Sequence, residues 1–510
     1  MKKRRLTSIF LSLTLAAGLS VAALTSCDDT GSTSSGNGGG NTSTSDESVT
    51  QSEQDEYYNS FDPADYPVKG DVSVTVQMCG VGKEWILDLA GNYKKITGIT
   101  VKIKESQDAT AELTNKFSTG AGLSDLYFDW SSLSEMYTWA SKGYLEDLTD
   151  LVDEVAEYRD DTLALIGQYK EKTYTMPFAY QPTGFVYNQD YLDRINSYGA
   201  YKKGEWPATW QGLLDLCTAT KNSNIKVGAV KVMPYVFPGT VATYTPYIFN
   251  SLWKSEDPEG FNAYWSQNDA TKNGFKKELL VTESTQKVMQ AMRDLIDPQL
   301  RKGSDTEYYP ANAVTGSTGI NHTKAQTQFL NGAAVFCLSG SWFENEMKET
   351  LDENSSYHFG TFPVLTEGNK AASYITASPS EHFTVPKSAS NAAGGKQFLK
   401  FILQKQNILR IVNRVQVPLA YKYDNSEVKL GTWGEEVHEA VVNTVSANPF
   451  TSSDVMHSGA LTVFGNGEPM LLMGTKGYSA KKILEDEAQY RYEQFEYFLN
   501  LLPKDNTTEQ

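Results

Sequence analysis

Residues 71–106, DVSVTVQMCGVGKEWILDLAGNYKKITGITVKIKES, carry two hydrophobic periods in succession. Val72, Val74, Val76 and Met78 alternate with polar residues, the pattern of a strand with one buried face. Gly80 and Gly82 interrupt it. Ile86, Leu89, Ala90, Tyr93 and Ile96 then recur at helical spacing, which sets them on one face of a helix. Thr97-Gly98 ends that helix, and Ile99, Val101 and Ile103 alternate again. Strand, helix and strand in this order predict a βαβ unit with a parallel sheet. A second helix, with Leu113 and Phe117 on one face, leads through Gly120 and Gly122 to a buried strand at Leu126-Tyr127-Phe128. An α/β lobe is therefore expected from about residue 71.

Further along, Trp210, Leu213, Leu214 and Cys217 form a helix face with Thr209 as N-cap. From Val227 to Ser266 the sequence reads as aromatic and irregular. Ala333–Leu338 is an apolar strand. Val385-Pro386 precedes a helix carrying Phe398, Leu399, Ile402 and Leu403. Leu484, Ala488, Tyr492, Phe495, Leu499 and Leu502 make one apolar stripe on a last helix. About 440 residues are too many for one growing core, so two lobes are expected.

Upstream, Lys2, Lys3, Arg4 and Arg5 precede an apolar run from Ile9 to Leu24, and Leu24-Thr25-Ser26-Cys27 closes it. A basic start, an apolar centre and a small-residue cut site read as a secretory signal over residues 1–26. Leu-Thr-Ser-Cys resembles the bacterial lipobox, whose Cys is acylated (a palmitate-type anchor) and becomes the new N-terminus. A plain signal with an incidental Cys is the alternative; the run is shorter than the ~20 residues of a membrane span. Residues 27–70 read as a Ser/Gly/Thr/Asn-rich, then acidic, tether with nothing to bury. As flexible coil it reaches roughly 35–40 Å.

The chain carries 62 Asp and Glu against 45 Lys and Arg, a net charge of −17. With no basic block after the signal, nucleic acid is a poor partner. Cys79, Cys217 and Cys337 cannot all pair with one another; they read as small buried hydrophobes, with one disulfide left open. No metal-ligand spacing occurs, and the five His residues are scattered. G-x-S-x-G, P-loop and G-x-G-x-x-G motifs are absent. No cofactor and no catalytic residue is expected.

Aromatic residues make up 12% of the chain, and several fall where loops should be. Asp129-Trp130 follow a buried strand, and ligands in open α/β sheets bind beyond the carboxyl ends of strands. Tyr180-Gln181 follow Met176-Pro177-Phe178. Tyr244 and Tyr247 lie in the irregular region, and Trp342 follows strand Ala333–Leu338. Any one of these rings could simply be core. Together, flat faces on separate loops suit a pyranose ring, with Asp129, Gln181 and Glu344 placed to hydrogen-bond hydroxyls.

Five stretches resemble, in order, the extracellular solute-binding proteins of ABC-type sugar importers. They are Leu123–Phe128, Gly143–Leu148, YTMPFAYQPTGFVYNQD at 174–190, Trp206–Trp210, and Phe329–Ala334 leading to Gly340-Ser341-Trp342. Ser378-Pro379-Ser380-Glu381 stands where that family has a Gly-rich approach to its second crossover. The resemblance implies a two-lobe, Venus-flytrap α/β fold with hinge strands. Crossings would lie near Phe178–Gln181, Tyr374–Ser380 and Val417–Tyr421. The lobes would be 71–180 with 378–417, and 182–375 with 420–502, followed by a flexible tail at 503–510. The implied protein is a monomer moored through Cys27 on the outer face of the cell membrane. It would deliver a carbohydrate, an oligosaccharide, to ABC permease subunits by closing a cleft, as a binder and not an enzyme. The expected ligand contacts are Asp129, Trp130, Tyr180, Gln181, Tyr244, Trp342 and Glu344. A binder of peptides or another solute on the same scaffold, or a surface glycosidase, are the competing readings.

Overall fold

The computed structural model describes residues 51–159, 167–267, 275–374, 381–447, 461, 463–464 and 469–501. Cys27, the signal segment, the tail at 503–510 and residues 375–380 of the expected second crossover lie outside the described residues.

The chain runs through helix α1 (Gln51–Asn59), strand β1 (Val72–Gln77), α2 (Glu84–Thr97), β2 (Val101–Ser106), α3 (Ala109–Thr119) and β3 (Leu126–Asp129). Two short strands follow, β4 (Thr175–Pro177) and β5 (Thr183–Tyr187). Next come α4 (Trp210–Ser223), β6 (Met233–Val236), α5 (Tyr244–Glu256), α6 (Pro258–Trp265), α7 (Glu283–Ile296), α8 (His322–Leu330), β7 (Ala334–Gly340), α9 (Phe343–Met347) and β8 (His358–Gly360). The last part holds β9 (His382–Thr384), α10 (Ala392–Ile402), α11 (Lys405–Val415), α12 (Thr432–Asn443) and α13 (Ala480–Leu501).

Two sheets organise these elements. The first has the order β2-β1-β3-β9-β4. β1 is parallel to β2 and β3, as the 71–106 pattern predicts, while β9 is antiparallel to β3 and β4. Val74, Leu126, Phe128, Phe178, Phe383 and Leu399 belong to the core built on this sheet. The second sheet has the order β6-β7-β5-β8, with β5 antiparallel to both its neighbours. Successive strand residues point to opposite faces. Accordingly Phe185, Phe336 and Leu338 enter one large core, while Val186 and Cys337 enter a smaller one with Phe343 and Trp433. Helix α13 packs against α7, so the apolar stripe of the last helix docks on the second lobe.

Three chain segments run side by side between the lobes. Tyr180 N–H donates to Pro418 O at 2.7 Å, Ala420 N–H to Phe178 O at 2.9 Å, and Thr183 N–H to Tyr374 O at 3.1 Å.

Three expectations need correction. The tether does not extend to residue 70, because α1 is helical and Tyr57, Phe61 and Tyr66 are buried in the first core. The third segment does not leave the first lobe at 417–420: Tyr421 and Val428 still lie in the first core, and Trp433 is the first large side chain in the other. The stretch 227–266 is not irregular, since most of it folds into α5 and α6. Cys79, Cys217 and Cys337 are free thiols, with Cys217 and Cys337 buried.

The docked segment has a measurable anchor. Tyr57 OH donates to Oδ1 of the buried Asn407 at 2.6 Å. Tyr57→Phe removes that donor and strands a buried acceptor, which costs about 1–2 kcal/mol. Urea denaturation reads the loss; an unchanged midpoint would mean the α1 segment is only loosely attached.

Candidate functional site: the cleft between the lobes

The site lies where strand ends of both sheets face one another. β1 ends into Cys79 and Gly80, β3 into Trp130, and β7 into Trp342, while Glu381 precedes the antiparallel β9. These ends meet because β9 runs against β3, bringing its first residues to the carboxyl edge of the parallel strands. The lobes touch at this edge. A Cβ built on Gly80 would lie 2.1 Å from Trp342 Cβ. Beside that contact, Lys348 Nζ sits 2.6 Å from Glu84, and Asn345 Nδ2 donates to Val415 O at 2.9 Å.

Trp342, Tyr244 and Tyr247 form an aromatic corner on the second lobe. Trp342 Nε1–H donates to Tyr244 OH at 3.0 Å, and the rings meet edge to face at 5.9 Å. Tyr247 contacts Trp342 and, at 5.0 Å, Tyr374, and it packs against the cores of both lobes. Burial pushes the Tyr244 hydroxyl well up and that of Tyr247 to about 12, so both are neutral donors at physiological pH.

On the first lobe, Trp130 keeps 46% of its surface exposed, with its side chain near the Glu381 carboxyl. Gln181, 3% exposed, lies near the same carboxylate. Tyr180 is half-buried, with its backbone in the hinge. Trp130, Gln181, Tyr244 and Trp342 thus share one region, with Tyr180 at its back.

Two sequence-predicted contacts are already engaged. Asp129 is fully buried and accepts from Ser131 N–H at 2.8 Å and Ser131 Oγ–H at 2.5 Å, with His382 Nε2 at 3.2 Å. Burial pushes its carboxyl up, but His382 and Ser131 outweigh that and leave it below its ordinary value. It fixes the β3–β9 edge instead of facing solvent. Glu344 accepts from Tyr357 OH at 2.7 Å, on the side of the smaller core.

Two further acids, Glu346 and Glu381, lie in this region, and neither was singled out from the sequence. Gln326 Nε2–H donates to Glu346 Oε2 at 2.8 Å, and His322 Nε2 lies 3.7 Å from its other oxygen. Burial pushes each carboxyl up to about 7, and in Glu346 the charge of Glu381 adds to the rise. The signal for Glu381 was present in the departure at Ser378–Glu381, where an acid replaces the Gly-rich approach. Glu346 needed only the recognition that α9 turns its second acid, not its first, toward the cleft.

These acids make closure pH-dependent. Facing them are His322 and Gln326 of α8, Tyr244 of α5, and Cys79, Trp130, Gln181 and His382. With the lobes parted, water would return both carboxyls toward their ordinary 4.5, so the touching form holds more protons between that value and about 7. His322, lowered by burial, acts oppositely below its ordinary 6.5. Raising pH from about 6.5 to 8 should therefore open the ligand-free protein. Small-angle scattering should show the radius of gyration increase, and a Glu346→Gln/Glu381→Gln double variant should not respond; equal responses would refute the coupling.

The model of the bacterial extracellular solute-binding protein family matches residues 88–423, well over half of the chain. The chain belongs to that family. These solute-binding proteins are binders, and a curated relative is the diacetylchitobiose binding protein NgcE of Streptomyces coelicolor, 24% identical over 346 residues, 64% of each chain. This solute-binding protein therefore spans about 64% of the length of that relative. Among solved structures, a chitin oligosaccharide binding protein aligns with a TM-score of 0.60 at 15% identity, over 84% of this chain and 99% of its own. The maltotriose binding protein of Thermus thermophilus aligns at 0.56 and 17% identity, over 83% and 99%. Both likenesses establish the two-lobe solute-binding fold.

Proposed function

We propose that this protein captures a carbohydrate, an oligosaccharide, between its lobes and presents the closed form to an ABC permease. The observation that carries the reading is the corner of Trp342, Tyr244 and Tyr247 set against Trp130 and buried hydrogen-bonding groups at the touching strand ends. Flat apolar faces take the C–H faces of sugar rings, and buried polar atoms take their hydroxyls. A ligand touching both lobes favours the closed form by its differential affinity for it. No bond is made or broken, so the site needs only shape and hydrogen bonding. The relatives named for diacetylchitobiose, chitin oligosaccharide and maltotriose support a saccharide over a peptide.

The ligand contacts of this reading are Trp130, Gln181, Tyr244 and Trp342, joined by Tyr247, Glu346 and Glu381. Cys27 carries the lipid, the segment after it is the leash, and the mature protein works as a monomer on the outer face of the cell membrane. Calorimetry with a panel of oligosaccharides should find at least one tight ligand and no turnover. Binding of no saccharide, or accumulation of products, would overturn the reading. Cys27→Ala should release the protein from the membrane fraction; retention would refute the anchor.

A further inference from the structure

Two buried acceptors at the cleft, one from each lobe, have no hydrogen-bond partner. Glu381 is 3% exposed and its Oε2 has no hydrogen-bond partner. Gln326 is 1% exposed; its Nε2–H groups serve Ser339 and Glu346, and its Oε1 has no partner. Of the nearby donors, Trp342 Nε1–H is already spent on Tyr244, and neither Glu381 Oε2 nor Gln326 Oε1 receives a hydrogen bond. A buried acceptor without a donor is costly, and a buried carboxylate without a counter-charge more so.

Nor is a counter-charge supplied by the chain. Among the described residues no Lys or Arg is paired with Glu346 or Glu381. His322 stands beside Glu346, but burial holds it below its ordinary value and neutral. His382 is bound to Asp129 and Ser131. No three His, Cys, Asp or Glu side chains among the described residues converge to hold a metal ion. The missing positive charge and the missing donors are both satisfied by one group, a protonated amine with three N–H bonds.

Building on the carbohydrate reading above, we propose that the cleft selects a sugar bearing a free, protonated amine, held by Glu346 from one lobe and Glu381 from the other, with Gln326 Oε1 accepting a further N–H. Such a group ties the lobes together through charge as well as stacking. It distinguishes an amino sugar from its hydroxyl analogue and from its N-acetyl derivative, which carries no charge and one donor.

Calorimetry at neutral pH with the β-1,4-linked glucosamine disaccharide, cellobiose and diacetylchitobiose tests this. The glucosamine disaccharide should bind about 10–100-fold tighter than cellobiose, the worth of one charge-assisted hydrogen bond. Glu346→Gln and Glu381→Gln should each reduce that preference, read as the ratio of the two affinities within the same variant, to about threefold or less. Thermal melting of both variants checks folding, which loss of a buried charge should leave intact. If the wild type binds any neutral saccharide as well as or better than the amine, or if both variants keep the preference, the amine assignment is wrong and the carbohydrate reading stands. Binding of no saccharide at all overturns both.

Discussion

Gly80→Ala should weaken binding of the best saccharide about 10–100-fold while leaving the protein folded. A Cβ at this position would lie 2.1 Å from Trp342 Cβ and 3.2 Å from its Cα. Carbon atoms rest about 3.5–4.0 Å apart, so the strand end of one lobe must withdraw from the other by well over an ångström. The neighbour is backbone and the root of a side chain, neither of which can swing aside. Gly80 is not among the glycines with positive φ, so alanine fits its backbone and the clash falls only on the contact between lobes. Open lobes tolerate the methyl group and touching lobes do not. Apparent affinity scales with the fraction of molecules able to close, so a tenfold loss of that fraction is a tenfold loss of affinity. Calorimetry measures the loss, scattering should show a larger ligand-free radius, and the melting midpoint should move little. Unchanged affinity would mean that ligand is held without this contact.

How much of this could be read from residues alone depended on whether a periodic pattern survived. The β1–α2–β2 unit was legible because each element has one buried and one wet face, the condition under which period reports structure. Helix α5 was not. From Tyr244 to Trp253 nearly every side chain is buried, so no polar face breaks the run into a helical period, and Pro246 in the first turn resembles a loop signal. The α1 segment, QSEQDEYYN, is polar enough to pass for tether; what holds it is Tyr57, whose partner Asn407 is 350 positions away. The same distance problem governed the site. Trp130, Gln181 and Trp342 could be picked from the sequence because they follow strands, and strand ends mark ligand edges. Asp129 shares that edge, yet its partner His382 comes from a strand far along the chain. Glu344 and Glu346 sit on one short helix, and only packing decides that the first meets Tyr357 and the second faces the cleft.

Trp342→Ala should damage both stability and binding, and the two losses can be separated. The ring is 8% exposed and packs in the core of the second lobe, folded back over Gly340, where a Cβ would lie 2.3 Å from the ring. Truncating a buried Trp costs about 3–5 kcal/mol, and a loss in that range is expected here. The change also removes the Nε1–H donated to Tyr244 OH, which stays buried. Loss of the flat face and of the support it gives Tyr247 should lower saccharide affinity more than about 100-fold, as for a central aromatic anchor. Trp342→Phe separates the parts. It keeps a flat ring but not the donor, so it should cost only about 1 kcal/mol beyond its smaller volume and retain affinity within about tenfold. Denaturant midpoints and calorimetry on both variants read the two effects. If the Ala variant binds as tightly as wild type, the aromatic corner is core alone and the ligand lies elsewhere along the cleft; if Phe is as damaging as Ala, the indole N–H and not the ring face is what the site requires.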